Sequence, residues 1–519
     1  MMRRRFATPF GIACVFATVL GIIVRARPVL LADFPLNDGG LFYLMTEELR
    51  HTQFRLPAFT SYNTAHIPFA YPPLGFYAAG MLSEVPSWTL LRVVQFLPLV
   101  VTCATLVAFL LLARDLLSDR MAVVAALASF ALVPRSFIWL VMGGGLTRSF
   151  GFLFTILALQ QAHRFFTRQQ WRFAVAAGVL TGLTPMSHLG TAPFLAASLV
   201  ILFLAYGRHR RGVLGMVFIG VVAIAVSAPW WAEVIRAHGL GPFMAASGSG
   251  ASILTPGPGR RSGIGRLARL GALATGEPLF PVIGVLAVLG GLALLRRRAL
   301  SLPVWWVLTL ALDVRAGATY ATVPASLLAG IGVAEVMRPL FVDRGKALAT
   351  AVAGFFVVYC TLAAMIRDAD LGAEAATLTS VSSAERDAMR WVARNTPPGS
   401  RFFVVPEVGW PYDKVAEWFP VLAERQSVAT VQGTEWLPNG AFERSVDLYR
   451  PAQACGGRTT ACLDRWVTAS GAPFTHVFIP RAPGGACCRD LSESLRADPR
   501  YARVFDGPGA EVFERRAGY

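Results

Sequence analysis

Apolar runs of close to 20 residues, separated by short polar tracts, fill the first 366 positions of the chain. A helix needs about 20 such residues to cross the ~30 Å hydrocarbon core of a bilayer. The pattern predicts about eleven spans, near 8–31, 88–113, 121–141, 146–166, 172–187, 189–206, 213–231, 277–295, 300–312, 319–337 and 347–366. The stretches around Pro134 and Pro185 divide in more than one way, because proline inside a membrane helix is tolerated where neighbours satisfy the freed carbonyl. Arg3, Arg4 and Arg5 precede the first run, as in a signal peptide. No small-residue cleavage site stands before Arg25, so an uncleaved first span is predicted.

Alternating threading puts six basic tracts on one side: Arg3–Arg5, 114–120, 164–172, 208–211, 296–298 and 338–346, with 17 Lys or Arg between them. Short loops rich in Lys and Arg stay cytoplasmic. The N-terminus is therefore predicted inside, and the loops 32–87 and 232–275 and everything beyond about 367 outside. The expected location is the inner (plasma) membrane.

After residue 380 the periodicity becomes that of a water-soluble fold. Ser382-Ser383-Ala384-Glu385 has capping-box spacing and opens a helix through Ala393. Pro397-Pro398-Gly399 stops it. Strands are predicted at Arg401–Val405, Ser427–Val431, Thr475–Ile479, Tyr501–Phe505 and Ala510–Phe513, with helices at Val415–Glu424 and near Cys462–Ala469. The predicted fold class is a polytopic α-helical membrane protein (1–366), a linker (367–381) and an extracytoplasmic α/β domain (382–519).

Composition agrees: 55% of residues are hydrophobic and 15% charged, with a mean hydropathy of +0.52, whereas soluble domains carry about 25% charged residues. The net charge of +17 lies in topology-setting clusters, which argues against nucleic acid as a partner. Cys14, Cys103 and Cys360 fall in apolar runs and read as small core residues. Cys455, Cys462, Cys487 and Cys488 fall in the final domain. Outside the cell they are disulfide candidates, and four cysteines allow three pairings. Zinc is the rival reading, but no paired CxxC spacing supports it.

The loop 32–87 is longer than a connection needs. It carries Asp33, Asp38, Glu47, Glu48, His51, His66 and Glu84, and the sequence Asp33-Phe34-Pro35-Leu36-Asn37-Asp38-Gly39-Gly40. Leu41–Arg50 reads as a helix capped by Asn37 or Asp38. A capping role is the plain reading of Asp38; the chemical one is that two following glycines admit a substrate close to the backbone.

This order of elements resembles the GT-C superfamily of integral-membrane glycosyltransferases, which includes protein O-mannosyltransferases and the lipid A aminoarabinose transferase. The specific likeness is confined to about 33–77, with Tyr71-Pro72-Pro73-Leu74 similar to the proline corner before the second span of such enzymes. The resemblance implies transfer of a sugar from a polyprenyl-phosphate donor to a glycan, lipid or protein acceptor at the outer face, with Asp38 as general base and inversion at the sugar. Asp33 and Glu47 or Glu48 would orient the acceptor. The leaving phosphate needs a cation: Arg315 first, then Arg148 and Arg261. His66, Tyr71 and His188 complete the candidate substrate-binding set. Asp33 and Asp38 are five apart, not the tight acidic pair of several members, so no cofactor is firmly implied; a divalent metal stays open without the support of such a pair.

Other features have plainer readings. The Gly- and Ser-rich loop 232–275, with Arg260, Arg261, Arg266 and Arg269, is either a headgroup-touching segment or a lid over a lipid phosphate. Gly143-Gly144-Gly145 lacks the lysine of a phosphate loop and reads as a turn or a close packing point. Trp230-Trp231 and Trp305-Trp306 read as interfacial belts. Trp410, Tyr412, Trp418 and Trp436 are either core or a sugar-stacking platform. A flippase or transporter is the first rival, and it calls for charges at mid-membrane and repeated halves. The second is a membrane-anchored sensor or scaffold, which leaves the loop 32–87 unexplained.

Overall fold

The computed structural model describes residues 9–248, 275–277, 280–312, 317–342, 344–368, 378–481 and 487–516. A helix lies on each predicted apolar segment. In chain order they are α1 (Pro9–Leu31), the two loop helices α2 (Gly40–His51) and α3 (Leu74–Ser83), α4 (Leu90–Leu116), α5 (Arg120–Leu132), α6 (Gly145–Arg168), α7 (Trp171–Ser187), α8 (Ala192–Tyr206) and α9 (Arg210–His238). After α10 (Gly241–Gly248) come α11 (Val282–Arg296), α12 (Ser301–Leu312), α13 (Gly317–Ile331) and α14 (Lys346–Asp368). Among the described residues five helices are long and apolar enough to cross a membrane: Pro9–Leu31, Leu90–Leu116, Leu189–Tyr206, Arg210–His238 and Gly317–Phe341.

The third predicted span is shorter than expected. α5 stops at Leu132, and 133–144 is a connector with one 3-10 turn at Pro134–Ser136. Arg25 explains the break. It is fully buried on α1 and donates to the carbonyls of Ala131 (2.6 Å) and Phe130 (3.3 Å) and to Ser136 Oγ (2.9 Å). These bonds satisfy the last carbonyls of α5, which a helix end otherwise leaves unpaired. They also pin the connector beside the end of α1.

α6 packs between α4 and α7, α7 against α9, and α13 against α5 and α11. Phe109 and Phe130 stack face to face at 4.1 Å in this core. Trp230 and Trp305 are both buried, the latter donating to Ser198 Oγ at 2.7 Å, so both rings pack inside the protein.

The C-terminal α/β unit holds a five-stranded sheet in the order β4-β3-β5-β7-β6. Its strands are β3 (Arg401–Val404), β4 (Gln426–Ser427), β5 (His476–Pro480), β6 (Tyr501–Asp506) and β7 (Ala510–Arg515); β1 (Phe59–Thr60) and β2 (Ile67–Pro68) form a separate pair in the loop. β3 lies parallel to β4 and β5, and β7 antiparallel to β5 and β6. The predicted strand at 427–431 shrinks to two residues. Its helices are α15 (Ser383–Asn395), α16 (Lys414–Leu422), α17 (Ala441–Ala454), α18 (Thr460–Ser470) and α19 (Arg489–Ala497). The Ser382–Glu385 capping box forms as its spacing predicts. Phe402, Phe403, Phe478 and Phe513 are fully buried, each contributing about 1.5–3 kcal/mol. Disulfides join Cys455 to Cys462 and Cys487 to Cys488.

Candidate active site

The chain leaving α1 is held on two sides. Gly143 N–H donates to Leu36 O (2.9 Å), and Asn37 N–H to Thr379 O (2.8 Å) in the segment before α15. Asn37 at φ 48° and Gly39 at φ 131° twist the backbone twice within three residues. Asparagine tolerates the left-handed region and glycine enters it freely. The double twist turns the Asp38 side chain away from α2 and toward α6.

That geometry corrects the capping expectation. The N-cap of α2 is Gly39, which has no side chain, and neither Asn37 nor Asp38 caps the helix. Asp38 Oδ1 instead accepts from Gly144 N–H at 2.8 Å, where α6 begins, and Oδ2 pairs with the Arg148 guanidinium. The positive end of the α6 dipole also favours a carboxylate there. Arg148 donates to Trp139 O (3.1 Å) and lies over the Trp139 ring at 5.6 Å. The side chains of Asp38 and Arg148 keep 16% and 20% exposure, so the pair is shielded yet reachable. The triple glycine allows the approach: a Cβ on Gly143 would lie 2.0 Å from Asp38 O, and one on Gly144 2.3 Å from Asp38 Oδ2.

A second carboxyl reaches this point from the C-terminal unit. Glu417 on α16 is buried, and its Oε1 accepts from Gly39 N–H at 2.9 Å. Burial, then the neighbouring Asp38 charge, push its carboxyl well above the ordinary range; the Gly39 N–H and the Arg148 charge oppose them. The next residue, Trp418, is fully buried and donates from Nε1 to Asn37 O at 3.0 Å. Tyr62 OH donates to Glu417 O at 2.7 Å. Asp413 caps α16 through Ala416 N–H (2.9 Å) and accepts from Tyr449 OH (2.6 Å).

Glu417 escaped the sequence reading. Its signal was present: a lone carboxylate in the otherwise apolar run Val415–Leu422. Trp418 and Trp436 are core residues, which removes them from any sugar-stacking platform. Tyr412 contacts Trp139 (centroids 5.6 Å), beside Arg148.

The other candidates are dispersed. Asp33, with 62% of its side chain exposed, pairs with Arg386 at 2.5 Å and lines a cavity of about 710 Å³ between 27–33, 378–385 and 407–415. Asp38 does not line that cavity, nor a smaller one of about 290 Å³ between Asn63 and Arg425. Glu47 stands half-buried on α2, and His66 is exposed, edge-on to Phe59. Tyr71 OH donates to the Glu435 carboxylate; burial and that charge raise its phenol well above the usual value. His188 Nδ1 lies 2.9 Å from Thr191 Oγ1, which bonds Tyr320 OH at 2.7 Å. Arg261 and Arg315 lie outside the described residues, as does most of the loop 232–275. Among the described residues no three His, Cys, Asp or Glu side chains gather as metal ligands. One oxygen of Asp38 accepts from Gly144 N–H and the other pairs with Arg148.

No protein-family model and no curated protein matches the sequence. Solved structures do. The Archaeoglobus fulgidus oligosaccharyltransferase AglB, in complex with an inhibitory peptide and a dolichol-phosphate, aligns over 91% of this chain and 69% of its own, at 14% identity and TM-score 0.54. ArnT from Cupriavidus metallidurans, bound to undecaprenyl phosphate, aligns over 98% of each chain at 13% identity and TM-score 0.52. The mycobacterial arabinofuranosyltransferase AftD aligns over 97% of this chain and 41% of its own, at 14% identity and TM-score 0.54. The shared feature is the fold, and among the described residues five helices are long and apolar enough to cross a membrane.

Proposed function

We propose that this GT-C-fold chain is a membrane glycosyltransferase that moves a sugar from a polyprenyl-phosphate carrier to a hydroxyl of a glycan, lipid or protein acceptor. The observation that supports this most is the Asp38 carboxylate, held just past the end of α1 by Gly144 N–H and Arg148. In the proposed step the acceptor oxygen bonds to the anomeric carbon and its proton passes to Asp38. The bond from the anomeric carbon to the phosphate oxygen breaks, and the polyprenyl phosphate departs with the electron pair. Attack opposite the leaving group inverts the sugar.

Arg148 is the described cation next to Asp38 and is assigned to the leaving phosphate, which a guanidinium binds through charge-assisted hydrogen bonds. Arg261 and Arg315 retain that role as candidates from the sequence. Asp33, on the larger cavity, and Glu47 have the lesser task of orienting the acceptor, with His66, Tyr71 and His188 as candidate substrate contacts. The C-terminal unit, outside the plasma membrane in this reading, helps bind the acceptor, and about eleven spans with a cytoplasmic N-terminus complete the topology.

The test uses the purified full chain in lipid nanodiscs with labelled polyprenyl-phosphate sugars. Wild type releases the carrier phosphate and Asp38→Asn does not. Equal release by both removes Asp38 from the mechanism, and no release by wild type with any sugar tried overturns the transferase reading.

A further inference from the structure

The segment bearing Asp38 is gripped from the C-terminal side at Leu36, Asn37 and Gly39. Leu36 bridges Ser380, Asn37 N–H donates to Thr379 O (2.8 Å), and Asn37 Nδ2 donates to Pro411 O (3.1 Å). Trp418 Nε1 donates to Asn37 O, and Glu417 Oε1 accepts from Gly39 N–H. Only Glu417 among these contacts brings an ionisable group. A carboxyl is a costly choice there: it is 3% exposed and feels the Asp38 charge. Like charges in a shared buried site repel, and a desolvated carboxylate is penalised further. Such arrangements gather at functional sites. An apolar side chain at 417 would avoid both penalties but leave the Gly39 N–H buried without an acceptor.

We infer that Glu417 is a positioning residue for the transfer reaction: it fixes the backbone at Gly39 so that Asp38 stands between Gly144 and Arg148 in the orientation that accepts the proton. The inference rests on the reading of Asp38 as the base. Glu417 touches no reacting atom. It ties the turn that aims Asp38 to a unit 378 residues further along the chain, so seating of the C-terminal unit and aim of the base are one event.

The test compares Glu417→Ala and Glu417→Gln in the full chain, in nanodiscs, with two readouts. Hydrogen exchange of the peptide spanning 36–42 reports the grip directly. It accelerates in Glu417→Ala and stays near wild type in Glu417→Gln, whose amide oxygen replaces the acceptor. In carrier release, Glu417→Ala lowers kcat by about 100-fold, the loss that a ~1 Å misplacement can cause, with KM for the donor little changed. Glu417→Gln recovers most of the turnover. Unaltered exchange in Glu417→Ala, or equal loss of kcat in both variants, overturns the inference. If wild type proves inactive the transferase reading falls, while the exchange result still decides whether Glu417 holds the segment.

Discussion

Gly144→Ala is the sharpest perturbation available, because it adds one methyl group and removes no functional atom. Gly144 sits at φ −67°, ψ −10° as the N-cap of α6, a backbone that alanine adopts without strain. Losing a glycine's unfolded-state freedom would by itself stabilise the chain by about 0.4–1 kcal/mol. The new Cβ, however, would stand 2.3 Å from both Asp38 Oδ2 and Arg148 Nη2. Ordinary contacts lie near ~3.5 Å, so the ion pair must retreat by roughly 1 Å. A displacement of ~1 Å at a reacting group costs on the order of 100-fold in rate, or about 2.7 kcal/mol in barrier height. The assay is single-turnover release of polyprenyl phosphate, read beside Gly220→Ala on α9, where an added Cβ meets nothing within 4 Å. The expected result is a variant that folds as wild type does and turns over about 100-fold more slowly, with the Gly220 control unaffected. Gly144→Ala at wild-type speed would refute the reasoning, since a base already aimed at the acceptor cannot absorb such a shift.

Three further outcomes are expected. Trp418→Phe keeps the buried ring but strips the donor from Asn37 O, leaving a buried carbonyl unpaired; a loss of about 1–3 kcal/mol should appear as a lower unfolding midpoint in detergent. Folded Glu417 binds its proton at pH values where the unfolded chain has released it, so its contribution is most favourable below the ordinary carboxyl range. It fades as pH rises through the raised folded value, and a pH series of denaturation midpoints should show a flatter slope for Glu417→Gln. Peptide mapping without reductant should recover Cys455 joined to Cys462 and Cys487 joined to Cys488; reduction should destabilise the C-terminal unit by up to ~3 kcal/mol.

Much of the architecture was legible because its causes are local. Each apolar run carries its own backbone hydrogen bonds in a helix, so length and hydropathy place it without knowledge of neighbours. The capping box at Ser382 and Glu385 is equally local and formed as spacing predicts. The third span was misjudged because its end depends on Arg25, over a hundred positions away, which takes up the last carbonyls of α5. The lone acid in the apolar run of α16 was a readable signal of Glu417, but its partner was not.

By itself, then, the sequence determined where helices form, where the α/β unit begins, and that the loop after the first apolar run is rich in acidic residues. Only the tertiary structure decided that Asp38 meets Arg148 from the start of α6, and that Glu417 and Trp418 close the site from the far end of the chain. The physical reason is range. Hydropathy and helix pairing act over a few residues, whereas the aim of Asp38 comes from two left-handed turns, a glycine-lined approach and a distant carboxyl, which only the folded backbone brings together.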